Sequence, residues 1–258
     1  MFKNKSVTLF IILGGFFIAN ALVAEFIGVK IFSLERTLGF EPFQFSFFGE
    51  DNLGFNLTAG VLLWPVVFVM TDIINEYYGL KGIRFLSFLA VGLILYAFLM
   101  VFLAINLSPN AWWDTISGVN EADSSSSLSS MDLAFRRIFG QGLWIIVGSI
   151  VAFLVGQLLD VAVFHRIRKW TGEGKVWLRA TGSTLVSQFI DSFVVLFIAF
   201  YIGADWTAGT VAAIGIVNYM YKFSMAVILT PVIYLAHKLI DRYLGSELAN
   251  QLKTKASL

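Results

Sequence analysis

The chain has 258 residues, of which 58% are hydrophobic and only 14% charged, with a formal net charge of +1. A soluble domain of average make-up carries about 25% charged residues, so this chain has too few charges to clothe a globular surface of its size. Cysteine is absent and there are two histidines, His165 and His237. That composition speaks against disulfides, thiol catalysis and a cysteine- or histidine-rich metal centre. No basic arm suited to nucleic acid is present, and no motif implies a cofactor.

The apolar residues arrive in runs of about twenty, the length that spans a bilayer as a helix. A membrane barrel would instead alternate apolar and polar residues in segments of about ten. The predicted fold is therefore all-α: a polytopic membrane helix bundle in a single integral membrane domain over residues 1–258. Six transmembrane helices are expected, at about 7–29, 57–78, 83–105, 142–164, 185–202 and 207–240. The 26 Phe and seven Trp suit a lipid-facing surface with aromatic belts.

The first span follows Lys3 and Lys5 but is too long for the apolar core of a secretory signal, so it reads as a retained helix. It contains Asn20 and Glu25, five positions apart and so on different faces, with Glu25 expected at the outer rim. In the loop that follows, residues 43–47 alternate like a strand or an interfacial hairpin. The second span carries Asp72, Asn75 and Glu76 on one face, with Pro65 two turns earlier and predicted to kink the helix. Snorkelling of Asp72 and Glu76, or pairing with Arg84, is the structural alternative to a ligand role. A ligand role is preferred for Asp72, because a mid-membrane charge costs about 2.5–3.5 kcal/mol or more.

Between the third and fourth spans, residues 124–127 form a serine run read as a solvated linker. Residues 131–139 are predicted to form a short amphipathic helix on the membrane. The fourth span holds Gln157 and Asp160, with Ser149 and Gly156 on the same side. Its Gly148, Ala152 and Gly156 form a small-residue ridge for close packing. Asp160 either contacts ligand or pairs with Arg166 or Arg179. Residues 165–179, with Trp170 and Trp177, read as a basic interfacial anchor.

The fifth span places Thr184, Ser187, Gln188 and Asp191 on one face of an otherwise apolar helix. The last stretch would be roughly 50 Å long if straight, more than one core of about 30 Å needs. A break or a re-entrant piece near 207–217 is expected. This stretch carries Asn218, Tyr219 and Lys222 on one face, with Pro231 further along. Lys222 is the only basic residue deep in an apolar segment.

Six crossings with a cytoplasmic N-terminus place thirteen of the eighteen Lys and Arg residues inside and four outside, leaving Lys222 embedded. A seventh crossing would spoil that asymmetry, so both termini are expected to be cytoplasmic. Five embedded carboxylates, Glu25, Asp72, Glu76, Asp160 and Asp191, face that one lysine. The excess favours a polar cavity that takes a cation, a proton or a polar solute. A transporter for a small polar solute fits best. An intramembrane enzyme fits poorly, for want of a Ser–His pair or facing aspartates at depth. A capture subunit with a separate energising module stays open, as does a homo-oligomer.

The run Leu63-Trp64-Pro65, then Thr71-Asp72-Ile73-Ile74-Asn75-Glu76-Tyr77-Tyr78-Gly79, resembles the signature of the queuosine precursor transporter family, also described as vitamin-uptake-transporter-like. Further matches follow in order: residues 160–164, 177–179, 183–192, 218–222 and 230–234, with Asn20 and residues 30–32 similar to its first-helix pattern. The resemblance covers nearly the whole chain apart from the loops at 32–56 and 111–131. It implies import of a queuosine precursor, a 7-deazaguanine base, across the inner (cytoplasmic) membrane. The polar residues are compatible with such a base: a guanine-like edge offers donors to a carboxylate and a carbonyl to Gln, Asn or Lys. The candidate substrate-binding residues are Asn20, Asp72, Asn75, Glu76, Gln157, Asp160, Gln188, Asp191, Asn218 and Lys222.

Overall fold

A computed structural model of the protein describes residues 4–114, 130–140, 143–171, 176–203 and 205–256. The serine run at 124–127 lies outside the described residues. Helix α1 (Lys5–Ile27) starts at Asn4, whose side chain accepts from the Ser6 and Val7 amides. The segment after it forms β1 (Ile31–Ser33), the short α2 (Leu34–Thr37), β2 (Phe45–Phe47), β3 (Glu50–Leu53) and β4 (Asn56–Thr58). Strands β1 and β4 pair antiparallel, as do β2 and β3. Alternation at 43–47 did signal a strand, and these four short strands are the only ones among the described residues.

Five described helices are long and apolar enough to cross a membrane. The second of them, α3 (Trp64–Ile105), has 42 residues and is bent at Gly79, whose φ of 66° and ψ of −171° are non-helical. A backbone at that positive φ suits glycine. The bend divides α3 into arms at 64–78 and 80–105. Pro65 sits in the first turn of α3, where its missing amide hydrogen costs nothing, so it starts the helix and does not kink it. The span expected from residue 57 accordingly begins later, because 56–58 pair as a strand and Ala59–Leu62 form a 3-10 turn.

Beyond the short α4 (Ala111–Asp114), α5 (Met131–Phe139) spans the residues its amphipathic pattern predicted. The Ser130 hydroxyl caps it by accepting from the Leu133 amide at 3.1 Å. Helix α6 (Leu143–Thr171) and helix α7 (Val176–Leu196) pack extensively on each other. A side chain at Gly148 would come within 3.1 Å of the Val195 carbonyl, so the small-residue ridge does permit close approach of the two backbones. Helix α7 begins nine residues before the expected boundary and widens into a π-helical turn at Phe197–Ile202. Its first turns carry Arg179, a residue that an apolar window alone excludes.

Helix α8 (Ala208–Leu244) is continuous over 37 residues with Pro231 inside it. The expected break or re-entrant piece at 207–217 is not formed: Thr207 caps α8 by accepting from the Thr210 amide, and helical geometry runs on from there. Gly245, at φ 86°, then turns the chain into α9 (Ser246–Ala256).

The main apolar core joins Leu13, Phe17 and Ala21 of α1 to Val67, Ile74, Ile83, Ala90 and Ile94 of the two α3 arms. Large apolar side chains such as Ile12, Phe16, Phe88, Tyr96, Phe102, Ile228 and Leu235 are exposed, as a lipid-facing surface requires. At one end of the bundle, Tyr78 donates to the Ser6 carbonyl, Lys5 to the Tyr243 carbonyl and Arg168 to the Lys253 carbonyl. This is the α9 end. The paired strands lie at the other, the strand end, where Thr210 of α8 donates to Glu50 of β3 at 2.7 Å.

Candidate functional site

Polar side chains from α1, α3, α6, α7 and α8 meet inside this apolar shell and form a ladder that descends from the strand end to the α9 end. Nearest the strand end, the Ser149 hydroxyl of α6 hydrogen-bonds Glu25 of α1. Glu25 lies in the last turn of α1, near the rim as expected, but it is buried there. It lies one turn beyond Ala21 on the buried face of α1.

On the next rung Lys222 of α8 forms an ion pair with Asp191 of α7. Lys222 is 7% exposed, so it points inward and does not snorkel. One turn along α7 from Asp191, Gln188 is 2% exposed, and neither its amide nitrogen nor its amide oxygen has a hydrogen-bond partner. Gln188, Lys222 and Thr184 line a narrow cleft with Pro65 and Val69 of α3 and Ala226, Leu229 and Ile233 of α8. The cleft has room for about one water molecule.

Below the cleft the carboxylates of α3 and α6 meet the hydroxyls of α7. Ser183 and Thr184 donate to Asp72 at 3.4 and 3.2 Å, and Ser187 donates to Asp160 at 3.1 Å. Both aspartates are fully buried. No cation among the described residues lies within ion-pair distance of either. Arg166 is exposed and sits over the Trp170 ring, so it does not pair with Asp160; the side chain of Arg179 lies outside the described residues. Thr71 of α3 donates to the Gln157 side-chain oxygen at 3.0 Å. The nitrogen of the same Gln157 amide is buried without a partner.

The lowest rungs are charged. Arg168 of α6 lies 3.9 Å from Glu76, and His165 is 3.0 Å from the Asn75 side-chain oxygen. Arg84, the alternative partner for Asp72 and Glu76, is exposed. Under these rungs Tyr77 donates to Asp241 at 2.8 Å, and Lys253 of α9 pairs with the other Asp241 oxygen at 2.9 Å.

The predicted residues therefore fall into groups. Gln188, Asp191 and Lys222 adjoin the cleft; Asp72, Gln157 and Asp160 lie just beneath it; Asn75 and Glu76 are lower still. Asp191, Gln188, Asp72 and Glu76 thus follow one another down the ladder. Asn20 is buried but donates to the Phe16 carbonyl of its own helix at 2.8 Å. Asn218 is half-buried, one turn of α8 from Lys222 towards the strand end. Spacing alone missed Arg168, read as part of a surface anchor yet 6% exposed. The available signal was its position on the face of α6 that carries Gln157, Asp160 and Phe164.

Residues 58–236 match the model of a family described as "Putative vitamin uptake transporter". The chain is 32% identical to a protein of Bacillus subtilis (strain 168) named "Probable queuosine precursor transporter", over 72% of this chain and 74% of that one. It is 30% identical to a protein of Haemophilus influenzae with the same name, over 69% and 67% of the two chains. The "Queuosine precursor transporter" of Escherichia coli (strain K12) is 27% identical over 68% and 70%. No solved structure matches the chain. Long apolar helices around a buried polar ladder, and relatives of this kind, make it a multi-pass membrane protein, and the chain belongs to the vitamin uptake transporter family.

Proposed function

We propose that this protein imports a queuosine precursor, a 7-deazaguanine base, across the cytoplasmic membrane, and that the buried ladder is its binding and translocation route. The observation that carries this reading is the ladder itself. A structural bundle has no reason to bury Asp72 and Asp160 with no cation within ion-pair distance among the described residues, or Gln188 with both ends of its amide unmet, at a cost of several kcal/mol. A carrier must offer polar partners to a polar solute inside an apolar shell. The names of the three relatives supply the solute class. Binding is assigned to Asp72, Asn75, Glu76, Gln157, Asp160, Gln188, Asp191 and Lys222, with Asn20 and Asn218 on the approach from the strand end.

Six crossings with both termini cytoplasmic accompany this reading. Helix α3, straight, would run to about 63 Å, twice the hydrocarbon thickness, so the bend at Gly79 makes it two crossings. The ends carrying Lys5, Lys81, Arg84, Arg168 and Lys253 then share the cytoplasmic side, as the positive-inside rule requires.

The test is the queuosine content of tRNA in a host unable to make the precursor, grown with low external base. Expression of this protein is expected to restore the modification. Asp72→Asn and Gln188→Ala, at matched membrane levels, are expected to reduce it at least about tenfold, since each removes a buried hydrogen bond to the ligand or its support. Failure of the unaltered protein with every 7-deazaguanine precursor would refute the assignment.

A further inference from the structure

Two of the three polar side chains lining the cleft are already engaged. Thr184 donates to Asp72, and Lys222 is paired with Asp191. The open hydrogen-bonding capacity belongs to Gln188, a buried amide with both ends unmet. Buried polar groups are almost always satisfied, so a side chain held in this state points to a ligand that completes it.

An amide presents a donor beside an acceptor, and its complement is an edge with an acceptor beside a donor. Two edges of a purine-like base meet that condition. One is the lactam, with N1–H next to a 6-oxo group; the other is the amidine, with bare N1 next to a 6-amino group. Gln188 alone takes either, according to how its amide is turned.

Lys222 breaks the tie. Its ammonium lines the same cleft and carries donors only. Beside carbon 6 it attracts an oxo group and opposes an amino group, so the wrong edge meets donor against donor. We propose that Gln188 and Lys222 together read the N1–H/6-oxo edge of the carried base, which makes the cleft selective for a lactam over an amidine. The proposal rests on the reading that a 7-deazaguanine base is carried. In this arrangement the Gln188 side-chain oxygen accepts N1–H and its nitrogen donates to the 6-oxo group, which also takes a hydrogen bond from Lys222. Entry of a base requires α8 to move away from α3 and α7. Pro231 lies between Leu229 and Ile233 of the cleft wall and leaves α8 one main-chain hydrogen bond short there.

The experiment titrates the full-length purified protein with 7-deazaguanine and with 7-deaza-2,6-diaminopurine, which differ only at this edge, following thermal stabilisation. The unaltered protein is expected to bind the lactam at least about tenfold more tightly. Gln188→Leu and the closer mimic Gln188→Glu are each expected to lose about tenfold or more of that affinity, and Lys222→Met to narrow the ratio between the two bases. Equal binding of both bases by the unaltered protein would overturn the proposal, as would an unchanged ratio in both Gln188→Glu and Lys222→Met. Discrimination in binding without restored tRNA modification would sink the transport reading and leave the edge reading standing. Restored modification without discrimination would do the reverse.

Discussion

The two ends of the bundle are closed by different physics. At the α9 end the closure is polar and continuous with the ladder: Arg168 lies against Glu76 and donates to the Lys253 carbonyl, Lys253 pairs with Asp241, and Asp241 accepts from Tyr77. At the strand end an apolar layer intervenes. Leu57, Val61 and Tyr221 are buried there, packed by Phe32, Leu34, Phe55 and Met225. A polar latch can exchange partners one at a time with little loss, since each hydrogen bond broken is replaced by water. An apolar plug gives up its contacts together. The cleft adjoins the plug, because Tyr221 of the plug and Lys222 of the cleft are consecutive in α8.

Truncating the plug is the largest way to break that comparison. Leu57→Ala removes a fully buried side chain from β4 and is expected to cost about 2–4 kcal/mol, through lost burial plus the cavity left behind. Thermal unfolding of the purified protein measures it. A loss below about 0.5 kcal/mol would mean that the strand end is not held by packing.

The bend at the α9 end is the next target. Gly79→Ala forces an L-residue into a left-handed φ, at about 1–2 kcal/mol. The new methyl group would also lie 3.0 Å from the Ala256 carbonyl. The substitution is expected to lower the unfolding temperature by a few degrees and to loosen α9, seen as faster proteolysis within residues 246–256. Unchanged proteolysis with a lowered unfolding temperature would separate bend strain from the α9 contact.

Much of this architecture was legible in the sequence for identifiable reasons. The long helices announce themselves by hydropathy, and α5 by its amphipathic period. The stripe Thr184, Ser187, Gln188 and Asp191 follows from helical spacing and does face the interior. Three features were not legible. Pro65 carries the same letter whether it starts or kinks a helix, and only the strand at 56–58 decides. The continuity of α8 goes against the reading from length. Arg168 and Glu25 lie near helix ends, where hydropathy registers a charge but not whether another helix covers it; here Glu76 and Ser149 do.

The smallest expected effect concerns pH and the strand end. Glu35 of α2 is a hub of that cap: its side chain accepts from the Phe55 amide at 2.7 Å and from the Ser33 hydroxyl at 2.9 Å. Burial pushes its carboxyl up, but these hydrogen bonds outweigh burial and hold it below the ordinary carboxylate range. A folded-state value below the unfolded one means that the unfolded chain binds the proton more readily. The contribution of Glu35 is therefore complete above the unfolded carboxylate value, near pH 4.5, and fades as pH falls through the lower folded value. Glu35→Gln keeps the shape, lacks the charge and is expected to flatten this part of the acid limb while leaving Gly79-dependent proteolysis of α9 untouched. Unfolding temperatures of the two proteins between about pH 3 and 7 provide the check. Parallel acid limbs would show that the cap holds Glu35 by shape and not by charge, whereas an acid limb lost together with the α9 contact would mean that the two ends are coupled through the bundle.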